Sequence, residues 1–374
     1  MNESPANWCE VALGEICEFK YGKSLPDAIR AGGNVPVFGS NGVVGQHNES
    51  ITVAPVIVVG RKGSLGEVNF SSVPCWPIDT TYYIDSTATG ADLRWLAYRL
   101  AGLGLTKLNK AAAVPGLNRE DAYRKRLLLP PLAEQRRIAE VLDRVEALRA
   151  KRRAAVAQLD TLTQSIFLDL FGDPITNPKG WPTVEFSQIC ERVTVGIVVK
   201  PASYYVPKGI PALRSLNVKP GKILMEDLVY FSETDNETKL AKTRLKAGDI
   251  VLVRSGQPGT AAVVPPELDG INAIDLLIAT PAREKCDTTF LCAFFNSSGG
   301  RGLVLSSQRG QVQKHLNVGS LNEAVIPFPP LQTQREFARR IAAVDKLKSA
   351  HRASLAKLDA LFASLQHRAF RGEL

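Results

Sequence analysis

Hydrophobic positions along this chain follow two rhythms. Short β-branched runs such as APVIVVG (54–60) and AGDIVLVRSG (247–256) end in glycine turns, which predicts strands leading into loops. Between them, ADLRWLAYRLAG (91–102) and TTFLCAFFNSS (288–298) have the spacing of amphipathic helices. A different pattern starts at Ala133. From there to about Leu170 no proline or glycine interrupts the chain, and Pro130-Pro131 stands just before the start, where proline is tolerated. With Ile138 as heptad position a, the a series is Ile138, Val145, Arg152, Leu159 and Ile166, and the d series is Val141, Leu148, Ala155, Leu162 and Asp169. That spacing predicts a long helix with a coiled-coil seam.

The same helix occurs twice. An offset of 199 residues carries Pro130, Pro131, Leu132, Gln135 and Arg136 onto Pro329, Pro330, Leu331, Gln334 and Arg335. The match continues without a gap to Phe171 and Phe370, and reaches back to Leu117-Asn118 and Leu316-Asn317. The second copy places Phe337, Val344, His351, Leu358 and Leu365 at a, with Leu347 and Leu361 at d. Both seams soften at their centre, Arg152 followed by Ala155 in one and His351 followed by Ser354 in the other. An antiparallel pairing would bring these polar layers together as a register or docking feature.

Upstream, an offset of 173 aligns WCEVALGEICE (8–18) with WPTVEFSQICE (181–191). GRKGSLG (60–66) and VRSGQPG (253–259) share the pattern R-x-G-x-x-G. Each half thus has a Trp start, a variable body, a glycine loop, Leu-Asn, Pro-Pro-Leu and a long helix. The second body is longer by 26 residues, the difference between the offsets of 199 and 173. The expected fold is mixed α/β: variable bodies at 1–129 and 181–328, helices at 130–171 and 329–374, and a linker at 172–180.

Composition narrows the function. The 374 residues carry a formal net charge of +9, which favours an anionic partner, nucleic acid before membrane. MNESPANWCEV has neither the basic nor the apolar region of a signal peptide, and the most apolar run, ITVAPVIVVG (51–60), is too short to span a bilayer. The expected location is the cytoplasm. Six cysteines at 9, 17, 75, 190, 286 and 292 form no C-x-x-C pair and the four histidines are scattered, so metal spacing is absent and buried thiols are expected.

Apparent catalytic motifs fail on inspection. YGKS (21–24) resembles the end of a phosphate loop, but the position needing glycine is Cys17. GRKGSLG lacks dinucleotide-fold spacing. The three Pro-Pro pairs are followed by Leu or Glu, whereas an amino-methyltransferase motif would put an aromatic there. What remains is suited to binding: glycines that let backbone approach phosphate, beside side chains that can bond phosphates or base edges. The candidates are Ser40 and Asn41 in FGSNG; Arg61, Lys62 and Ser64 in the first glycine loop; and Arg254, Ser255 and Gln257 in the second. Arg214 and Asn217 in RSLN, Lys107 and Lys110 in LTKLNK, and Gln308, Arg309, Gln311 and Lys314 in SSQRGQVQK complete the set. Two other classes stay open at this point: a lone nuclease or methyltransferase, and a coiled-coil scaffold.

LPPLAEQRRIAEVLD, GSNGVVG, VGRKGSLG, CWPIDTTYY, LKAGDIVLVRSGQPG, FGDP and FRGEL together resemble the specificity subunits of type I restriction-modification systems over essentially the whole chain. The second helix start departs from the pattern, with Thr333 where the first has Glu134. The resemblance implies a non-catalytic subunit in which each of two target-recognition domains reads one half of a split DNA target, the two held apart by an antiparallel pair of long helices in a pseudo-two-fold duplication. It implies two methyltransferase partners and, through them, motor-nuclease subunits, with S-adenosylmethionine, ATP and Mg held by those partners and no cofactor or metal in this chain. The repeated helices would dock the partners, with Gln135, Arg136, Arg152, Gln334, Arg335 and His351 as candidate contacts.

Overall fold

The computed structural model describes residues 7–108, 116–306 and 316–374. The chain divides into two compact units: unit 1 comprises Met1–Arg153 with Arg352–Leu374, and unit 2 comprises Ala154–His351. Both units are mixed α/β and are built on one plan.

In unit 1 the strand Cys9–Ala12 pairs antiparallel with Arg126–Leu129; in unit 2, Thr183–Glu185 pairs with Val325–Pro327. Each Trp start is thereby tied to the strand that precedes the Pro-Pro helix. The main sheet has four strands in each unit. Its order is Lys20–Tyr21, Thr81–Ile84, Val56–Gly60, Val68–Ser71 in unit 1, and Cys190–Val195, Leu276–Pro281, Ile250–Val253, Ala261–Val263 in unit 2. A second sheet in each contains one parallel pair, Val37 opposite Trp76 and Ala212 opposite Asn272. Unit 2 adds the strand Tyr205–Val206 and the hairpin of Val218–Lys219 with Lys222–Ile223, part of its longer body.

The β-branched runs form interior strands because both of their faces are covered. Side chains alternate across a strand. Accordingly Ile57 and Val59 enter one apolar cluster of unit 1 while Val56 and Val58 enter another. Ile250 and Leu252 are divided from Val251 and Val253 in the same way in unit 2. The amphipathic segments form the helices Leu93–Ala101 and Thr288–Asn296, each capped by an aspartate: Asp92 accepts from Trp95 N, and Asp287 from Thr289 N and Phe290 N.

The long helices run Leu132–Phe171 and Leu331–Ala369, the first about 60 Å long at 1.5 Å per residue. Within each unit, half of one lies antiparallel to half of the other. Arg149 pairs with Asp359 at 2.6 Å and Arg137 donates to Leu374 O at 3.1 Å in unit 1, while Lys348 pairs with Asp160 at 3.4 Å and Phe167 meets Phe337 at 5.8 Å in unit 2. Each unit's core contains the start of one helix and the end of the other: Ile138 and Leu142 with Phe370 in unit 1, Phe337 and Ile341 with Phe167 and Phe171 in unit 2.

The expected seam is corrected in its d positions. The larger apolar side chains buried at the helix starts are Ile138, Leu142 and Val145 in one helix and their repeats Phe337, Ile341 and Val344 in the other, a spacing of i, i+4, i+7. The d leucines Leu148, Leu162, Leu347 and Leu361 are 51%, 37%, 53% and 46% exposed. The cause is that the start of each helix packs on the α/β body of its own unit as well as on the end of the other helix, which selects the 3.6-residue stripe of a globular helix. The expectation of buried cysteines holds for Cys17, Cys75, Cys286 and Cys292; Cys190 is half-buried, and Cys9 is exposed on its edge strand.

Candidate nucleic-acid interface

The two glycine loops have one geometry. After Val56–Gly60 the chain turns through Gly63 (φ 77°) and Gly66 (φ 69°), and Gly66 N donates to Gly60 O at 2.8 Å. After Ile250–Val253 it turns through Gly256 (φ 82°) and Gly259 (φ 85°), and Gly259 N donates to Val253 O at 2.9 Å. Left-handed backbone requires glycine at these positions. At Gly66 space does too, since a Cβ would lie 2.5 Å from Thr106 N. The Leu-Asn motifs close both loops: Leu117 N donates to Arg61 O at 2.9 Å, and Leu316 N to Arg254 O at 3.2 Å.

The two loop arginines brace their own units. Arg61 donates through Nε and Nη2 to Asp79 O at 3.2 and 2.7 Å. Arg254 donates through Nε to Leu316 O at 3.1 Å and through Nη1 to the Asp275 carboxylate at 2.6 Å. Lys62 and Gln257 are exposed at the loop tips, with Ser64 and Ser255 half-buried beside them. Asn41 is exposed in the turn between Val35–Gly39 and Gly42–His47, and Lys107 is exposed in a short turn of helix.

Other candidates lie inside. Ser40 is buried and donates to Thr80 O at 2.7 Å. Asn217 is fully buried; its amide donates to Leu224 O and Glu226 O, and its oxygen accepts from Arg214 N. The Arg214 guanidinium in turn donates to Asp227 O. The side chains of Ser40 and Asn217 are thus used within their own units, and Arg214 is half-buried beside Asn217. Lys110, Gln308, Arg309, Gln311 and Lys314 lie outside the described residues.

On the long helices, Arg136, Arg335 and Arg152 are exposed and His351 is half-exposed. Gln135 and Gln334 are buried and make the same two bonds. Gln135 accepts from Asp92 N at 2.8 Å and donates to Pro130 O at 2.8 Å; Gln334 accepts from Asp287 N at 2.9 Å and donates to Pro329 O at 2.8 Å. Each glutamine thus locks a long-helix start to the cap of the preceding short helix.

An exposed tyrosine and a half-buried arginine beside the first glycine loop were not among the candidates. Tyr21 follows Lys20 at the end of its strand, and Arg119 follows the Leu-Asn motif. Their signal was weak, because YGKS was weighed only as a phosphate loop. Beneath Tyr21, burial and then a hydrogen bond with Tyr21 push the Tyr82 hydroxyl up to about 12, so it stays protonated and donates to Leu117 O at 3.1 Å. Burial likewise pushes the thiols of Cys17, Cys190 and Cys292 up to about 12, with Asp249 adding to the effect at Cys190. These thiols are therefore neutral at physiological pH. Among the described residues, no group of three or more His, Cys, Asp or Glu gathers as a metal site, and no helix is long and apolar enough to cross a membrane.

Two α/β units built on one frame, each presenting a braced glycine loop with polar tips, define a duplicated α/β protein. The family model described as "Type I restriction modification DNA specificity domain" matches residues 5–158. The EcoBI specificity subunit of Escherichia coli is 25% identical over 366 residues, which cover 88% of this chain and 76% of that protein. The EcoDI specificity subunit of Escherichia coli is 22% identical over 409 residues, covering 99% and 89%. The fold is shared with the crystal structure of the type I restriction-modification S subunit from M. genitalium (TM-score 0.62, 14% identity, 99% of this chain and 98% of that one). Over most of its length this chain is thus similar to the specificity subunits of type I restriction enzymes.

Proposed function

We propose that this subunit reads a bipartite, asymmetric DNA target, one half through the loops of unit 1 and the other through those of unit 2. It carries no chemistry itself. Two methyltransferase subunits dock on its repeated helices, bring S-adenosylmethionine, and recruit motor-nuclease subunits that use ATP and Mg. The assembly works in the cytoplasm. The observation that carries this reading is that the frame is repeated, from Trp strand to glycine loop to glutamine lock, while the side chains displayed on it differ. A repeated frame suits two identical partners. Different loop contents suit two different half-sites.

Phosphate contacts from exposed Lys and Arg supply salt-dependent affinity, and loop side chains at base edges supply sequence. Extrusion of the target adenine falls to the methyltransferase, because a stacked base is out of reach of chemistry. The test is genome-wide adenine methylation in cells expressing this chain with its neighbouring methyltransferase, with omission of the chain as control. A split motif that depends on the chain is expected. No new methylation, from a methyltransferase shown to be competent with another specificity subunit, would overturn the proposal.

A further inference from the structure

One niche of unit 1 has no counterpart among the described residues of unit 2. It is a cleft of about 490 Å³ lined by Tyr21, Arg61, Lys62, Tyr82, Asn118 and Arg119 with their neighbours. Tyr21 is 56% exposed although its ring meets Tyr82 edge-on at 5.1 Å. The guanidinium groups of Arg61 and Arg119 each lie 5.5 Å from the centre of the Tyr21 ring, and that of Arg119 is also 5.7 Å from Tyr123. Cations at these distances are attracted to an aromatic face. Two of them beside one open ring make a site suited to an electron-rich, planar guest.

The two arginines are not equivalent. Arg61 is committed to Asp79 O through two donors. Arg119 sits on the rings, and its nearest carboxylate oxygen, on Glu120, is 3.8 Å from Nε, beyond hydrogen-bond range. Among the described residues its fork makes no hydrogen bond, yet the tyrosines restrict its position. A planar fork held in place matches the adjacent O6 and N7 acceptors of guanine in the major groove.

Unit 2 keeps the brace, but its described residues do not repeat the niche. Tyr21 faces Tyr82 across the sheet in unit 1, and the equivalent pair in unit 2 is Val195 with Leu277. The offset of 199 that carries Leu117-Asn118 onto Leu316-Asn317 puts Val318 at the position of Arg119.

We infer that Tyr21 and Arg119 form a guanine-reading site confined to unit 1, with Arg61 as its positioning residue. The inference rests on the DNA-reading function proposed above. Its test uses the full chain with its methyltransferase and compares the methylated motif of the unaltered protein with those of Arg119→Ala, Arg119→Lys and Tyr21→Leu. Both Arg119 variants should lose discrimination by about tenfold or more at one G·C pair of one half-site, because an ammonium cannot replace the two-pronged contact. Tyr21→Leu should relax the same position, and the other half-site should stay intact, which also reports that the protein is folded. A uniform fall in methylation with no relaxed position would make Arg119 a phosphate contact and overturn the inference. An unchanged motif would overturn it as well. If the unaltered chain produces no split motif, the proposed function fails and the inference fails with it.

Discussion

A buried primary amide can serve one donor and one acceptor at once, and Gln135 and Gln334 each use both ends of the side chain. Replacing either by leucine keeps the volume roughly constant but strands a half-buried backbone N–H and a buried carbonyl. At about 1–3 kcal/mol for each unsatisfied group, Gln135→Leu should destabilise unit 1 by about 3 kcal/mol and lower its denaturant midpoint. Gln334→Leu should do the same to unit 2. A midpoint unchanged in both variants would show that water or a shifted backbone takes over these bonds. The recurrence of the glutamine was legible in Pro-Pro-Leu-x-x-Gln-Arg, but its direction was not. A motif repeated on a helix start is compatible with a side chain pointing outward, as Arg136 and Arg335 do, or inward. What decides is the backbone N–H of Asp92, 43 residues upstream, which no local pattern announces. Asn217 and Ser40 were misleading for the same reason: a polar residue in a turn-forming stretch can bond to its own turn.

At the scale of elements, the strands and helices were legible where period and length agreed. Ile250–Val253 and Leu132–Phe171 fall where the apolar runs and the uninterrupted stretch put them. The heptad frame was less informative, because a pattern near 3.5 residues per turn does not say whether a helix packs on another helix or on a sheet body. The exposed d leucines now take on meaning. The Arg149–Asp359 pair sets Leu148 level with Leu361 in unit 1, and the Lys348–Asp160 pair sets Leu162 level with Leu347 in unit 2. Under the proposed function these are the apolar parts of two methyltransferase docking surfaces. Changing Leu148 and Leu361 together to Asp should alter the stability of the free chain by less than about 1 kcal/mol, as expected of exposed positions. It should reduce the methyltransferases bound per chain from two to one, as read by native mass spectrometry. Two partners still bound would move the docking surface elsewhere.

For the whole molecule, internal comparison was the strongest signal, because an ungapped offset of 199 over some forty residues reports common construction without reference to any other protein. It could not show that each unit is completed by helix segments distant in sequence. Phe370 enters the core of unit 1 beside Ile138, and Phe171 enters that of unit 2 beside Phe337. This arrangement makes the helices structural members of both units, so a change in their length has a definite expected effect. Equal insertions of one helical turn in the central parts of both helices add about 5.4 Å of helix to each while leaving the phenylalanine cores and the glycine loops as they are. If the helices set the distance between half-sites, the methylated motif should keep both halves and change only the number of unspecified bases between them. Altered bases within a half would mean that the helices influence the reading loops directly. An unchanged gap would mean that something other than the helices, such as the docked partners, sets the spacing.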